Sequence, residues 1–210
     1  MQGFNTVLEK SKGEFEEKHS RFLGFLLPCN SEEEAGAIIE KFRSEYCDAK
    51  HCVYTYVLNE NNVTRFSDNG EPHGTAAKPM LEVVLGAELK NVILIVVRYF
   101  GGVLLGTGGL VRAYTAAAKE AVANAEIYKM VPCTVFSTLC EYNMISTINS
   151  IIENVGGKVL NTKYNEKVAV TCYVENTDID DFNKQVKEKF AGKIEFNIEY
   201  EKLLPVKKGT

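Results

Sequence analysis

The chain has 210 residues, of which 45% are hydrophobic and 25% charged, and a formal net charge of −4. This suits one large or two small globular domains with a real core, and the acidic balance argues against a wholly basic nucleic-acid-binding domain while leaving room for a local basic patch. No stretch approaches ~20 consecutive apolar residues, and the start, M-Q-G-F-N-T-V-L-E-K, has no basic region followed by an apolar one, so a soluble cytoplasmic protein with no membrane span is expected.

Residues 4–10 and 15–18 read as a hairpin around Ser11-Lys12-Gly13, and residues 21–28 as the next strand, ended by Pro28. Ser31 opens a helix, with Glu34 three residues on in the S-x-x-E pattern of a capping box. Ala35, Ile38, Ile39, Phe42 and Tyr46 recur at helical spacing and form its core face. Glu32, Glu33 and Glu34 sit where the helix dipole favours them and need no functional role. Residues 49–59 alternate as a strand with His51 near its start, and a helix with a first-turn proline, Pro79, covers about 75–85. Residues 91–99 carry V-I-L-I-V-V, a strand buried on both faces. A helix follows to about Ala125, with Leu110, Val111, Tyr114, Ala117, Ala118, Ala121 and Val122 facing the core.

Residues 128–132 mark a domain boundary, giving domains at 1–130 and 131–210. After it come a strand at 135–140, a helix carrying Met144, Ile148, Ile151, Ile152 and Val155 and closed by Gly156-Gly157, a hairpin of 158–164 with 167–174, a helix at 179–190 and a last strand from Ile194 to Tyr200. The order βαββαβ is that of ferredoxin-like domains. The fold class is α+β with two domains. The tail from Pro205 to Thr210 is basic and reads as loose, and the lysines Lys184, Lys187 and Lys189 as a solvated helix face.

The six cysteines, Cys29, Cys47, Cys52, Cys133, Cys140 and Cys172, form no C-x-x-C pair and have mostly apolar neighbours, so they read as buried reduced thiols, without zinc. Chemistry concentrates between Arg65 and Tyr114. Seven of the 16 glycines (Gly70, Gly74, Gly101, Gly102, Gly106, Gly108 and Gly109) fall there in two short loops, among Asp68, Glu71, His73, Lys78, Arg98 and Arg112. The second loop leads from a buried strand into a helix, a natural anion site to which Arg98 and Arg112 add charge, and a phosphate is its natural guest. It is neither a Walker A nor a Rossmann pattern, and a tight, closely packed strand-to-helix turn is the plainer alternative. Asp68 and Glu71 are candidates for acid–base work, or equally for capping the next helix and pairing with Lys78 or an arginine. His51 is a candidate third member, His19 and His73 look like exposed loop residues, and Cys52 points to the opposite face from His51, which argues against a Cys-His nucleophile. No cofactor or metal is expected, and the chain reads as a binding protein rather than an enzyme.

The motif S-D-N-G-E-P-H-G-T-A-A-K-P-M from Ser67, with V-R-Y-F-G-G from Val97, L-G-T-G-G-L-V-R-A-Y from Leu105, S-R-F from Ser20 and A-K-H-C from Ala49, resembles the IMPACT family in its bacterial, YigZ-like branch, over essentially the whole chain. The resemblance implies an amino-terminal fold like domain 2 of a small-subunit ribosomal protein, and a ferredoxin-like carboxyl-terminal domain similar to elongation factor G domain V. Both kinds of domain meet RNA on the ribosome. Eukaryotic members regulate translation during amino-acid starvation by competing for a kinase activator; they carry an extra amino-terminal domain that this chain lacks, so that role is not carried over. The family signature falls here on His51, Ser67, Asp68, Gly70, Glu71, Pro72, Gly74, Thr75 and Lys78, and on Arg98, Gly101, Gly102, Gly106, Gly108, Gly109 and Arg112. One position departs: Leu104 stands where members commonly carry a lysine. Three functions follow as expectations: RNA or ribosome binding in translation, through the second loop; a small-molecule enzyme or nucleotide-binding protein using Asp68 and Glu71; or a protein-interaction module using the carboxyl-terminal sheet.

Overall fold

The computed structural model describes residues 2–207. They form two compact units, whose bodies are residues 4–129 and 130–206. The amino-terminal unit contains β1 (Phe4–Val7), β2 (Ser11–Glu17), β3 (Ser20–Pro28), α1 (Glu32–Glu45), β4 (His51–Val57), β5 (Thr64–Ser67), α2 (Ala77–Gly86), β6 (Val92–Tyr99) and α3 (Gly106–Ala123). A five-stranded sheet runs in the order β2-β3-β6-β4-β5. The central strand β6 pairs antiparallel with β3 and β4.

The unbroken apolar run of β6 follows from this position. Val92, Leu94 and Val96 lie in one core with α2 and α3; Ile93, Ile95 and Val97 lie in another with Phe42 of α1. Both faces are covered, so neither set of alternate side chains is polar. The next residue in the α2–α3 register is Arg98, and this is how a charged side chain enters the buried layer.

The hairpin around Ser11-Lys12-Gly13 is not formed. Residues 11–17 are one strand paired antiparallel with β3, from Ser11 opposite Leu26 to Glu17 opposite Ser20. The turn is made by Lys18 and His19, with φ of 47° and 63°, as a two-residue type I′ loop requires. Gly13 is a packing glycine: a Cβ there would stand 2.3 Å from Ala121 N in α3, and one on Gly24 would stand 2.5 Å from Ala117 O. Helix and sheet approach too closely there for side chains. Val111 turns outward, and Ala113 joins the core instead. The capping box of α1 is shifted by one residue. Ser31 Oγ accepts the Glu34 N–H at 3.1 Å, while Glu34 Oε2 accepts the N–H of Asn30 at 2.7 Å.

The carboxyl-terminal unit is built from β7 (Ile127–Cys140), whose first residues belong to the other unit, and from α4 (Ile145–Asn154), β8 (Lys158–Tyr164), β9 (Val168–Glu175), α5 (Ile179–Phe190) and β10 (Asn197–Lys207). The strand order β10-β7-β9-β8 completes the ferredoxin-like βαββαβ arrangement. Ile148, Ile152, Phe182 and Val186 of the two helices pack over Phe136, Val170 and Cys172. The last strand starts at Asn197 rather than Ile194 and runs through Pro205 to Lys207, so the stretch read as a loose tail is strand that far; residues 208–210 lie outside the described residues. All six cysteines are free thiols; five are buried and Cys47 is exposed, against expectation. Burial pushes the Cys172 thiol up to about 12 and, as the leading cause, Cys29 to about 11, which keeps both un-ionised and inert. No helix among the described residues is long and apolar enough to cross a membrane.

Candidate functional site

Sheet register assembles the site. Phe22 of β3, Arg98 of β6 and His51 of β4 are direct cross-strand neighbours in one row, on the face that α2 and α3 cover. The Arg98 guanidinium carbon lies 5.4 Å from the Phe22 ring centre and 5.6 Å from that of Phe100.

Glu71 is brought to this row by the turn Asp68-Asn69-Gly70-Glu71. Asn69 and Gly70 have φ of 42° and 85°, and the Glu71 N–H donates to Asp68 O at 3.0 Å. This is a second type I′ turn, and it explains the N-G pair. The turn is locked to β4 twice, since Asn69 Oδ1 accepts the Cys52 N–H at 3.0 Å and Asn69 O accepts from His51 Nδ1 at 2.9 Å. A carbonyl only accepts, so Nδ1 carries the proton. His51 Nε2 is left facing Glu71 Oε1 at 3.7 Å.

Glu71 Oε1 accepts from Arg98 Nη1 at 2.6 Å and from the Tyr114 hydroxyl at 2.8 Å. The side chains of Glu71 and Arg98 are 2% and 6% exposed. Burial, followed by the charge of Glu71 and its hydrogen bond, pushes the Tyr114 hydroxyl well above the usual tyrosine range, so it stays a donor. Tyr114→Phe is expected to cost about 1–3 kcal/mol, because the buried carboxylate loses a partner; chemical denaturation measures it. Arg98 Nε is buried without a hydrogen-bond partner.

Asp68 is a helix cap. Its Oδ1 accepts from the N–H groups of Ala76 and Ala77 at 3.2 and 2.8 Å, and its Oδ2 from Gly74 N–H at 2.9 Å. Ser67 Oγ accepts the Asn69 N–H at 3.3 Å, and Thr75 closes on Pro72 O through both its N–H and its hydroxyl. His73 is fully exposed, with Nδ1 3.7 Å from Asp68. Lys78 is exposed and pairs with neither Asp68 nor Glu71.

The second glycine group divides. Gly101 lies against the β2–β3 turn, donating its N–H to Ser20 Oγ at 3.0 Å; a Cβ there would stand 2.1 Å from the His19 carbonyl carbon. Gly102 is exposed in the loop. Gly106, Gly108 and Gly109 are not loop residues but the first turn of α3. That turn has no side-chain cap, so its leading N–H groups lack intrahelical and side-chain acceptors alike. Arg112 is exposed, 3.8 Å from Glu17, a contact worth little in solvent.

Between the 70–72 turn, the end of β6 and the start of α3 lies a cleft of about 350 Å³. His51, Glu71 and Arg98 line its depth, Lys50 and Phe100 one side, and Gly106 and Thr107 the helix end. Lys50 Nζ stands 5.3 Å from the Phe100 ring centre. A larger depression of about 500 Å³ between α2 and α3 is mainly apolar and has no buried charge. Among the described residues no cluster of three or more His, Cys, Asp or Glu is placed to hold a metal ion. Tyr114 as a partner of Glu71, and Lys50 beside the cleft, were not singled out from sequence. Tyr114 reads there as one more apolar position of α3, and only its spatial proximity to Glu71, 43 residues away, reveals the bond.

Fold and site together define a two-domain α+β protein in which a buried Arg–Glu–Tyr–His cluster underlies an open helix end. Residues 18–122 match the model of the Impact N-terminal domain, and residues 138–193 that of a Domain of unknown function (DUF1949). The chain belongs to the IMPACT family. It is 33% identical over 181 residues to the IMPACT family member YigZ of Escherichia coli (strain K12), covering 85% of this chain and 89% of that one. It is 31% identical over 194 residues to the IMPACT family member YvyE of Bacillus subtilis (strain 168), covering 92% and 89%. A solved structure titled "Crystal structure of an hypothetical protein" is similar with a TM-score of 0.61 and 30% identity, over 95% of this chain and 98% of that one.

Proposed function

We propose that this protein is a translation-associated binding factor that takes an RNA phosphate at the amino-terminal end of α3, with no catalytic step. The observation that carries this reading is the contrast between the two helix starts of this region. That of α2 is filled by the Asp68 carboxylate, while that of α3 is uncapped, exposed at Gly106, Thr107 and Gly108, and open to the cleft that Lys50, His51 and Arg98 line. Unsatisfied N–H groups and the helix dipole favour an anion there. Acidic residues outnumber basic ones in both units, so the RNA contact is local rather than spread over a basic face. Against catalysis, Asp68 Oδ1 caps α2 while its Oδ2 holds the Gly74 N–H, and Oε1 of Glu71 is held by Arg98 and Tyr114, which favours structural roles for the two carboxylates.

Arg98→Ala is a poor probe, since it would strand buried Glu71. Thr107→Asp is the better one: an acidic residue in the first turn suits the helix dipole and repels a phosphate. Binding of a ribosomal RNA fragment, measured across a salt series, is expected to weaken linearly in log salt. Thr107→Asp should weaken it at least tenfold, and Arg112→Ala should reduce the salt slope by about one. Binding unchanged in folded Thr107→Asp would refute the site.

A further inference from the structure

We infer that the group this cleft seats is a nucleoside 5′-phosphate, either the phosphorylated 5′ end of an RNA or a free mononucleotide. The inference rests on reading the start of α3 as a phosphate site, and goes further by specifying what is attached to the phosphate. Two observations independent of the helix end point to a ligand. The first is Arg98, whose side chain is 6% exposed and lines the cleft with Gly106 and Thr107, yet whose Nε has no partner. A buried guanidinium N–H left unpaired is costly, and an anion seated in this cleft beside Arg98 is the kind of partner it lacks. Lys50 adds a second cation beside the same space.

The second observation is the composition of the rim. Phe100 is 42% exposed and Leu104 82% exposed, and both line the same cleft. Large apolar side chains displayed beside a phosphate site are surface for an apolar or aromatic part of the ligand, and a nucleobase is the aromatic group that travels with a phosphate. A volume of about 350 Å³ is at the small end of ligand pockets. It has room for one nucleotide rather than a run of them. The depth of the cleft is closed by the Arg98–Glu71 pair, which suits the end of a chain better than its middle.

Titration calorimetry on the full chain tests this with inorganic phosphate, ribose 5-phosphate, AMP, and an RNA decamer with and without its 5′-phosphate. AMP is expected to bind about tenfold tighter than ribose 5-phosphate, from base contact worth about 1.4 kcal/mol. Leu104→Ser should narrow that gap while leaving inorganic phosphate binding unchanged, and Thr107→Asp should weaken all the phosphorylated probes. Loss of the 5′-phosphate should cost the decamer at least tenfold if the source is an RNA end; tight AMP with no decamer binding identifies the free nucleotide. Equal affinity for AMP and ribose 5-phosphate overturns the nucleotide assignment. Decamer binding indifferent to the 5′-phosphate, without AMP binding, overturns it too but leaves the RNA-binding function standing. Folded protein that binds none of the probes overturns both.

Discussion

Glu71→Ala is expected to destabilise the amino-terminal unit by about 3–5 kcal/mol, the usual cost of leaving one partner of a buried ion pair uncompensated. The substitution strands two buried donors at once, Arg98 Nη1 and the Tyr114 hydroxyl, which now meet at a single carboxylate oxygen. Neither can turn to water, because Arg98 and Tyr114 are both buried. Urea unfolding followed by circular dichroism reads the loss. The triple variant Glu71→Leu, Arg98→Met and Tyr114→Phe, which also removes the hydroxyl that loss of Glu71 strands, separates charge from packing. Replacing a whole buried polar cluster by apolar residues of similar size is often neutral or better, so this variant should recover to within about 1 kcal/mol of the parent, and a triple variant as weak as Glu71→Ala would show instead that the cluster stabilises the fold. A loss below about 1 kcal/mol in Glu71→Ala would mean that water reaches the site.

Asp68→Ala is expected to cost about 2–3 kcal/mol, above a typical N-cap loss, because three backbone N–H groups, of Gly74, Ala76 and Ala77, depend on this one carboxylate. Asp68→Asn should lose roughly half as much, since the amide oxygen still accepts while the amide nitrogen cannot. The same denaturation measurement distinguishes the two. If Asn and Ala variants were equally unstable, the negative charge at the start of α2 would be the whole effect.

Periodic elements were legible in the sequence: α1 and its Ser31 cap, the double-sided β6, and the βαββαβ order of the carboxyl-terminal unit all follow from local spacing. The errors lie where a local signal had two meanings. Gly13 was read as a turn glycine, but it is a strand residue whose missing side chain lets α3 lie down, while the true turn uses Lys18 and His19, which carry no turn signature. Strand β5, Thr64–Ser67, is too short for a period to show and exists through its pairing with β4. The site was found as a region, with the capping role of Asp68 and an arginine partner for Glu71 among the alternatives offered. Arg98 beside a glycine loop looks like a free cation; its burial and its pairing with Glu71, 27 residues away, are set by sheet register, which no run of neighbouring residues displays. His51 was singled out as a candidate third member and by the family signature, and its place in the site follows from standing opposite Arg98.

The seam where Gly13 and Gly24 meet Ala121 and Ala117 lies toward the far end of α3 from the open first turn. α3 has 18 residues and, at ~1.5 Å per residue, spans about 27 Å. Its far half is fixed by this seam and its near half by buried Leu110 and Tyr114, while its first turn borders the cleft. A methyl group added at the seam would press on the α3 backbone itself, and a shift of that backbone is carried along the helix to its first turn. Aim at the cleft is thus calibrated from the opposite end of the rod, by two residues that touch nothing in the cleft itself.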